Sequence, residues 1–173
     1  CHKLIERGHA EQLLPMVETV RKQADVNYEA LDLIAVTIGP GTFTGVRVGL
    51  AAARALALVQ DIPVLGVGTL ELLAQMAVRS GLLQTGAGQG IIAAIDARRG
   101  ELYSQAFDAA GRPVTAAGVG PAGPEIAPSG LRPGVIVGTG AALLQADLPA
   151  WRLDSGIVQP DAAVLALASE DWR

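Results

Sequence analysis

A glycine-rich turn has the residue types and spacing to bind phosphate. It reads GPGTFT from Gly39 to Thr44 and lies between an apolar run and a long run of small and apolar residues. Gly39 and Gly41 can adopt positive φ and admit close contact with a phosphate or another backbone. Thr42 or Thr44 can cap a following helix, whose free N–H groups favour an anion. The turn is neither a Walker A loop nor a dinucleotide fingerprint, so a tight structural connection is favoured while a phosphate site stays open.

A second group with candidate chemistry is the segment DARRGE, which contains Asp96, Arg98, Arg99 and Glu101. Its place between two strand-like runs predicts a β-hairpin turn. A carboxylate beside two guanidinium groups can bind phosphate or position a metal. The arginines can equally be solvated turn residues paired with Glu101, and this second interpretation is favoured.

Other catalytic chemistry has little support in the residue types. The chain has two histidines, and His9 is followed by Gln12 and Leu13 at helical spacing, so no helical histidine pair can bind a metal. No serine lies in a Gly-x-Ser-x-Gly elbow, and Cys1 has no evident base. We therefore expect no catalytic residues and no metal site.

Composition limits the class of partner. Among 173 residues, 13 basic and 17 acidic side chains give a net charge of −4, and only 3% of residues are aromatic. Without a basic run or stacking surface, the chain is a poor independent binder of nucleic acid. A single cysteine excludes an internal disulfide and fits a reducing cytosol. Arg47 and Arg54 interrupt the longest apolar stretch, so no membrane-spanning segment is expected.

The elements that must position these groups alternate between helices and strands. Hydrophobic periodicity and breaker residues predict helices at His9–Ala24, Thr44–Gln60, Thr69–Ser80 and Ala162–Ser169, and strands at Leu31–Ile38, Val64–Val67, Ile91–Asp96, Glu101–Asp108 and Val135–Val137. Helices between strands imply right-handed crossovers and largely parallel pairing. The second helix is apolar on nearly all sides, since Arg54 is the only charge between Val48 and Val59. Such a helix is covered on nearly all sides, and we expect part of that cover to come from another chain.

Four segments together resemble one family. They are GHAEQLLPMV (Gly8 to Val17), GPGTFTGVR (Gly39 to Arg47), PVLGVGTLELLA (Pro63 to Ala74) and IDARRGELY (Ile95 to Tyr103). In this order they resemble the TsaB (YeaZ) family, bacterial proteins needed to make threonylcarbamoyladenosine in tRNA. The resemblance implies the α/β, two-lobed fold of actin, Hsp70 and the sugar kinases (the ASKHA fold), in which each lobe is a mixed sheet with flanking helices. It implies a first lobe at residues 1–85, with its N-terminal hairpin missing, and a second lobe at residues 86–173.

The resemblance also implies a non-catalytic role. The family is similar to the catalytic protein TsaD, whose pattern Val-Asn-His-Leu-Glu-x-His supplies two metal-binding histidines. In this sequence Thr69 and Leu73 occupy the histidine positions, so the metal cannot bind in that way. The chain is therefore expected to be an adaptor that needs no cofactor of its own, within a complex that uses ATP.

The expected partner is a TsaD-like subunit, bound through a four-helix bundle that the first two helices form with their counterparts. The residues implied at this contact are His9, Leu13, Met16, Val17, Val20, Val46, Gly49 and Ala53. A TsaE-like ATPase is the expected third component, tRNA is reached only through the complex, and the chain is expected to form a homodimer when alone. The expected location is the cytoplasm, with no membrane contact.

Two rival functions remain. An active ATPase or kinase of the same fold would need a working phosphate site at Gly39, Gly41, Thr42, Thr44 or Asp96. It would also need the segment Gly138 to Ala141 near the adenine. A peptidase, an old label for the family, would need a nucleophile or a metal that the sequence does not supply convincingly.

Overall fold

The computed structural model describes residues 3, 8–83 and 88–170. Within them the chain forms two compact units, Cys1–Val67 with Leu165–Arg173, and Gly68–Val164. The sequence placed the end of the first lobe at residue 85. The compact units divide earlier because the helix Thr69–Arg79 contacts the strand Gln89–Arg98 of the second unit. The assignment of the two lobes stays a prediction.

The first unit is a parallel strand pair with two helices. Its elements are α1 (His9–Gln23), a 3-10 turn (Tyr28–Ala30), β1 (Ile34–Thr37), α2 (Phe43–Gln60) and β2 (Val64–Val67). The strands pair in parallel from Ile34 opposite Val64 to Thr37 opposite Val67, and α2 crosses over between them and contacts β1. The two predicted helices and two predicted strands are confirmed, with the first strand shorter than predicted.

The first unit buries little apolar surface within the described residues. Its buried hydrophobic residues are Ala53, Ala57, Val67, Leu165 and Ala168. No residue of α1 is buried, and every residue of β1 is only half-buried. Small side chains at these few positions contribute much less hydrophobic free energy than a filled core. Helix α1 therefore stays partly exposed along its length, and α2 exposes one face while Ala53 and Ala57 are buried.

The second unit is built around a mixed five-stranded sheet. It contains α3 (Thr69–Arg79), β3 (Gln89–Arg98), β4 (Glu101–Phe107), β5 (Gly118–Pro121), β6 (Arg132–Val137), β7 (Arg152–Leu153) and two short 3-10 turns (Pro124–Ile126 and Ala141–Leu144); α4 (Ala162–Ala168) spans the boundary. The strand order is β5-β4-β3-β6-β7, with β6 parallel to its neighbours β3 and β7 and the β3-β4 and β4-β5 pairs antiparallel. The sequence predicted the hairpin and β6 but not β5 or β7.

This sheet is buried on both faces because its central strands carry continuous apolar runs, Ile91 to Ile95 in β3 and Val135 to Val137 in β6. Ile91 and Ala93 lie in a cluster with the α3 residues Leu70 and Leu73, whereas Ile92 lies in a second cluster. The second cluster also contains Leu144 and Trp151, from the segment after β6. Since alternate residues of a strand point to opposite faces, the continuous run places apolar side chains against both layers.

The sequence indicated no segment of membrane-spanning length, and helix α2 corrects this expectation. With 18 residues and a mean hydropathy of 1.2 it is long and apolar enough to cross a membrane, although Arg47 and Arg54 lie within it. Only 11% of this segment is buried within the structure. Helices of soluble proteins meet the same criteria, and each arginine would cost about 3 kcal/mol at a bilayer centre. Length and composition alone therefore allow a membrane span, and a single helix of this kind is weak evidence for one.

Candidate functional site

The glycine turn, Gly39 to Thr44, packs against Val46 of α2, and Thr42 caps that helix. Gly39 has a φ of +107°, and the methyl group Cγ2 of Val46 lies 3.3 Å from where a Cβ on Gly41 would stand. Thr42 precedes α2, and its Oγ1 accepts a hydrogen bond from the N–H of Gly45 at 3.2 Å. Thr42, one of the two candidate residues, therefore caps the helix, and Val46 packs against the turn. This geometry supports the tight structural connection, and phosphate binding at Gly39, Gly41, Thr42 or Thr44 stays a prediction.

The Asp96 carboxylate contacts both the backbone and the side chain of Arg98 in the β3–β4 turn. Its Oδ1 accepts from the N–H of Arg98 at 2.7 Å, and its Oδ2 lies 3.9 Å from Nη1 of Arg98. Arg98, Arg99 and Gly100 all have positive φ, so this carboxylate helps to hold an unfavourable backbone conformation. Asp96 and the glycine turn lie in different compact units.

A second glycine turn follows β6 and packs against β3. A Cβ on Gly138 would overlap the carbonyl oxygen of Ala94, and a Cβ on Gly140 would lie 2.5 Å from a methyl group of Leu102. Between them, Thr139 Oγ1 accepts from the N–H of Asp96 at 3.1 Å. The glycines are required for this close approach, so the turn serves packing around the end of β3.

The positions that carry metal-binding histidines in the TsaD-like pattern are used here for the core. Leu73 is fully buried in the cluster that α3 forms with β3, and Thr69 is buried in the first turn of α3. The N–H of Gly68 donates to the Glu71 carboxylate at 3.2 Å and stabilises the same turn. Over residues 8–83 and 88–170, no group of three or more histidine, cysteine or acidic residues is arranged to hold a metal.

The predicted contact residues of α1 are accessible to a partner. Met16 and Val17 are half-buried, and Val20 is 41% exposed. His9 and Leu13 are half-buried as well. Leu14, which the sequence did not assign to the contact, is more exposed than any of these five residues. Helix α1 therefore offers an apolar stripe of modest area, and its use for partner binding stays a prediction.

The predicted contact residues of α2 face the interior of the first unit. A Cβ on Gly49 would lie 3.7 Å from Cγ2 of Val36 on β1, and Ala53 is only 5% exposed. Val46 packs on the glycine turn, one helical turn before Gly49. Ala53 therefore has little surface to offer, and any contact through α2 must use another face of the helix.

The outer face of α2 carries a stripe that the sequence did not single out. We call Phe43, Arg47, Ala51, Arg54 and Leu58 the outer stripe; all five are exposed, Phe43 to 71% and Leu58 to 84%. Their spacing places them within an arc of about 80° on the helix. The guanidinium carbon of Arg47 lies 3.9 Å from the centre of the Phe43 ring. In the sequence, these side chains recur every three or four residues, which places them on one face of a helix. The sequence alone does not show that this face is exposed.

Comparisons with known proteins agree with this fold. The family model of TsaD, tRNA N6-adenosine threonylcarbamoyltransferase, matches residues 3–120. YeaZ from Pseudomonas aeruginosa superposes with a TM-score of 0.79 at 31% identity, covering 98% of this chain and 79% of that one. A second P. aeruginosa structure, described as similar to peptidase YeaZ, gives a TM-score of 0.77 with the same identity and coverage. The tRNA threonylcarbamoyladenosine biosynthesis protein TsaB of Escherichia coli (strain K12) is 41% identical over 101 residues, which is 58% of this chain and 42% of that protein.

The fold and these matches define an α/β protein of the actin-like ASKHA class, as the family resemblance implied. The chain belongs to the family described by the TsaD model and, within it, to the TsaB (YeaZ) proteins. It matches less than half the length of the E. coli protein.

Proposed function

We propose that this chain is a non-catalytic subunit in the biosynthesis of threonylcarbamoyladenosine in tRNA. In this role it binds a TsaD-like catalytic subunit in the cytoplasm and supports threonylcarbamoyl transfer to adenosine. The observation that carries the proposal is the thin core of the first unit, in which α1 has no buried residue and α2 exposes a whole face. A second subunit would bury these faces and contribute the missing hydrophobic free energy.

The same proposal holds that this chain has no active site of its own. Leu73 and Thr69 stand in the core where the TsaD-like pattern has its histidines, so this chain uses those positions for stability. The catalytic metal, ATP and the TsaE-like ATPase then belong to other components, and tRNA reaches this chain only through the complex. Its net charge of −4 is consistent with weak direct binding of RNA.

The alternative function is an active ATPase of the same fold. The support for an ATPase is that Asp96 places a carboxylate near the end of a strand. That carboxylate already accepts a hydrogen bond from the Arg98 N–H. Measurable ATP turnover by the isolated protein would support the alternative and contradict the adaptor role.

A reconstituted tRNA modification assay tests the proposal. The TsaD-like protein, the TsaE-like protein, ATP, threonylcarbamoyl-adenylate and substrate tRNA are combined with and without this protein. Modification is expected only when this protein is present. Equal modification in its absence would contradict the role.

A further inference from the structure

The tip of the β3–β4 hairpin presents two adjacent arginines. Arg98 and Arg99 are both exposed, the side chain of Arg98 to 85%. Gly100 and Glu101 complete the tip and are exposed as well, so these four positions contain no apolar side chain. Contacts between proteins depend on apolar anchors that become buried, whereas contacts with nucleic acid are polar, hydrated and formed with basic residues. The composition of the tip therefore fits a polyanion better than a protein surface.

The backbone of the tip does not itself require arginine. Arg98 and Arg99 have φ values of +74° and +57°, and Gly100 has a φ of +82°. This region is unfavourable for a residue with a long side chain, and asparagine or glycine fits it better. Strained residues of this kind cluster at functional sites. Turn geometry therefore does not account for arginine at either position.

The neighbouring carboxylates leave both guanidinium groups available. One oxygen of Asp96 accepts a hydrogen bond from the Arg98 N–H at 2.7 Å, but the other lies 3.9 Å from Nη1 of Arg98, which is too long for a hydrogen bond. Among the residues that the structure describes, no ion pair joins Arg98 or Arg99 to Glu101. Asp96 thus holds the backbone of the tip, while the two guanidinium groups can bind an external anion.

We propose that Arg98 and Arg99 contact backbone phosphates of RNA when this chain is part of the complex that modifies tRNA. Guanidinium groups donate paired hydrogen bonds to phosphate oxygens, and such contacts position a nucleic acid without reading its bases. Two arginines do not outweigh a net charge of −4, so the contact adds to RNA binding by the TsaD-like subunit and does not replace it. The inference rests on the proposed function and adds which residues of this chain touch the RNA.

The test measures tRNA binding by the complex of the full protein with the TsaD-like protein at several salt concentrations. The variant R98N/R99N removes both charges, and asparagine tolerates positive φ. It is expected to bind tRNA about fivefold more weakly at low salt, and its salt dependence should fall by about one to two phosphate contacts. Circular dichroism of each variant establishes that it is folded.

Two matched controls accompany this variant. R98K/R99K keeps both charges and is expected to stay within about threefold of the wild type, since lysine binds phosphate as a point charge. Arg112→Asn removes an arginine that is also exposed, to 80%, but lies beyond the opposite end of β4. It is expected to leave the salt dependence of tRNA binding unchanged.

The outcomes separate this inference from the proposed function. Equal tRNA affinity and equal salt dependence of R98N/R99N and the wild type would overturn the inference. Weaker binding of ATP to the complex with unchanged binding of tRNA would overturn it too, because the phosphate would then be that of a nucleotide. Loss of binding between R98N/R99N and the TsaD-like protein in calorimetry would place a protein contact at the tip, with the same consequence. If the wild type itself fails to bind the TsaD-like protein, the proposed function fails first and the inference with it.

Discussion

Glu18 and Arg21 form a two-point ion pair one turn apart on α1. Besides contacting both carboxylate oxygens, Arg21 donates from Nη1 to the carbonyl of Val26 at 2.9 Å, and its guanidinium carbon lies 5.2 Å from the centre of the Tyr28 ring. The Tyr28 hydroxyl donates to Glu18 at 3.3 Å. These contacts connect the end of α1 to the segment that leads into β1, and they stabilise a helix that buries none of its side chains.

The ion pair predicts a defined pH dependence. The hydrogen bond from Arg21 lowers the pKa of Glu18 from 4.5 to about 2. A carboxyl group whose pKa is lowered on folding stabilises the folded state above its unfolded pKa, and this contribution is lost as the pH falls through its folded value. Glu18→Gln is therefore expected to lower the Tm slightly at neutral pH, because solvent screens the exposed pair. The difference from wild type should shrink between about pH 4.5 and about pH 2.

Thermal unfolding of the wild type and Glu18→Gln across this range checks the expectation. A difference in Tm that stays constant down to about pH 2 would contradict it.

Gly138 tests the close packing at the end of β6. It has a φ of +100°, and a Cβ there would overlap the Ala94 carbonyl and lie 3.2 Å from a Leu73 methyl group. Gly138→Ala is expected to lower the free energy of unfolding by about 3 kcal/mol, through strain and clash together. Gly100→Ala is the matched control, since Gly100 has a φ of +82° but nothing within 4 Å of its added Cβ. It should cost only about 1 kcal/mol. Equal losses in urea unfolding would show that the clash is not significant.

Thr42 tests the interpretation of the first glycine turn. Thr42→Ala removes the hydrogen bond to the Gly45 N–H and is expected to destabilise the first unit by about 1 kcal/mol. Thr44→Ala, within the first turn of the helix, should have little effect. Thermal unfolding with and without ATP also distinguishes the two interpretations of the turn, a tight structural connection and a phosphate site. Stabilisation of the wild type by ATP that Thr42→Ala abolishes would indicate a phosphate site.

The alternation of elements could be predicted from the sequence because its signals are local. The strand-turn-helix unit around Gly39 is marked by an apolar run, glycines and a capping threonine, and the structure confirms it from β1 through α2. Strands β5 and β7 were missed because one is rich in glycine and the other has two residues. Strand β5 pairs with β4, and β7 pairs with β6. Such pairing between distant segments cannot be inferred from the local sequence pattern.

The face of α2 could not be predicted for a physical reason. The helix is small and apolar on nearly all sides, so hydrophobic periodicity does not distinguish inside from outside. The structure resolves this by placing Gly49 against Val36 and exposing Arg54 and Leu58. The predicted contact residues Gly49 and Ala53 therefore point into the unit, and a partner surface on α2 stays a prediction.

Val20 tests the α1 side of the proposed interface. It is 41% exposed, so Val20→Asp should leave the chain folded while placing an unpaired charge in a desolvated contact. Binding to the TsaD-like protein is expected to weaken at least about tenfold. Val119→Asp on β5 is the control, because Val119 is 59% exposed in the other compact unit. If both variants bind equally well in calorimetry, α1 is not part of the interface.

We expect a second polypeptide to cover the exposed apolar faces of α1 and α2 in the first unit. Multi-angle light scattering on a mixture of the full protein with the TsaD-like protein tests this most directly. We predict a stable complex with the summed mass of one copy of each subunit. A protein that elutes alone as a monomer, with no change when the TsaD-like protein is in excess, would contradict the claim.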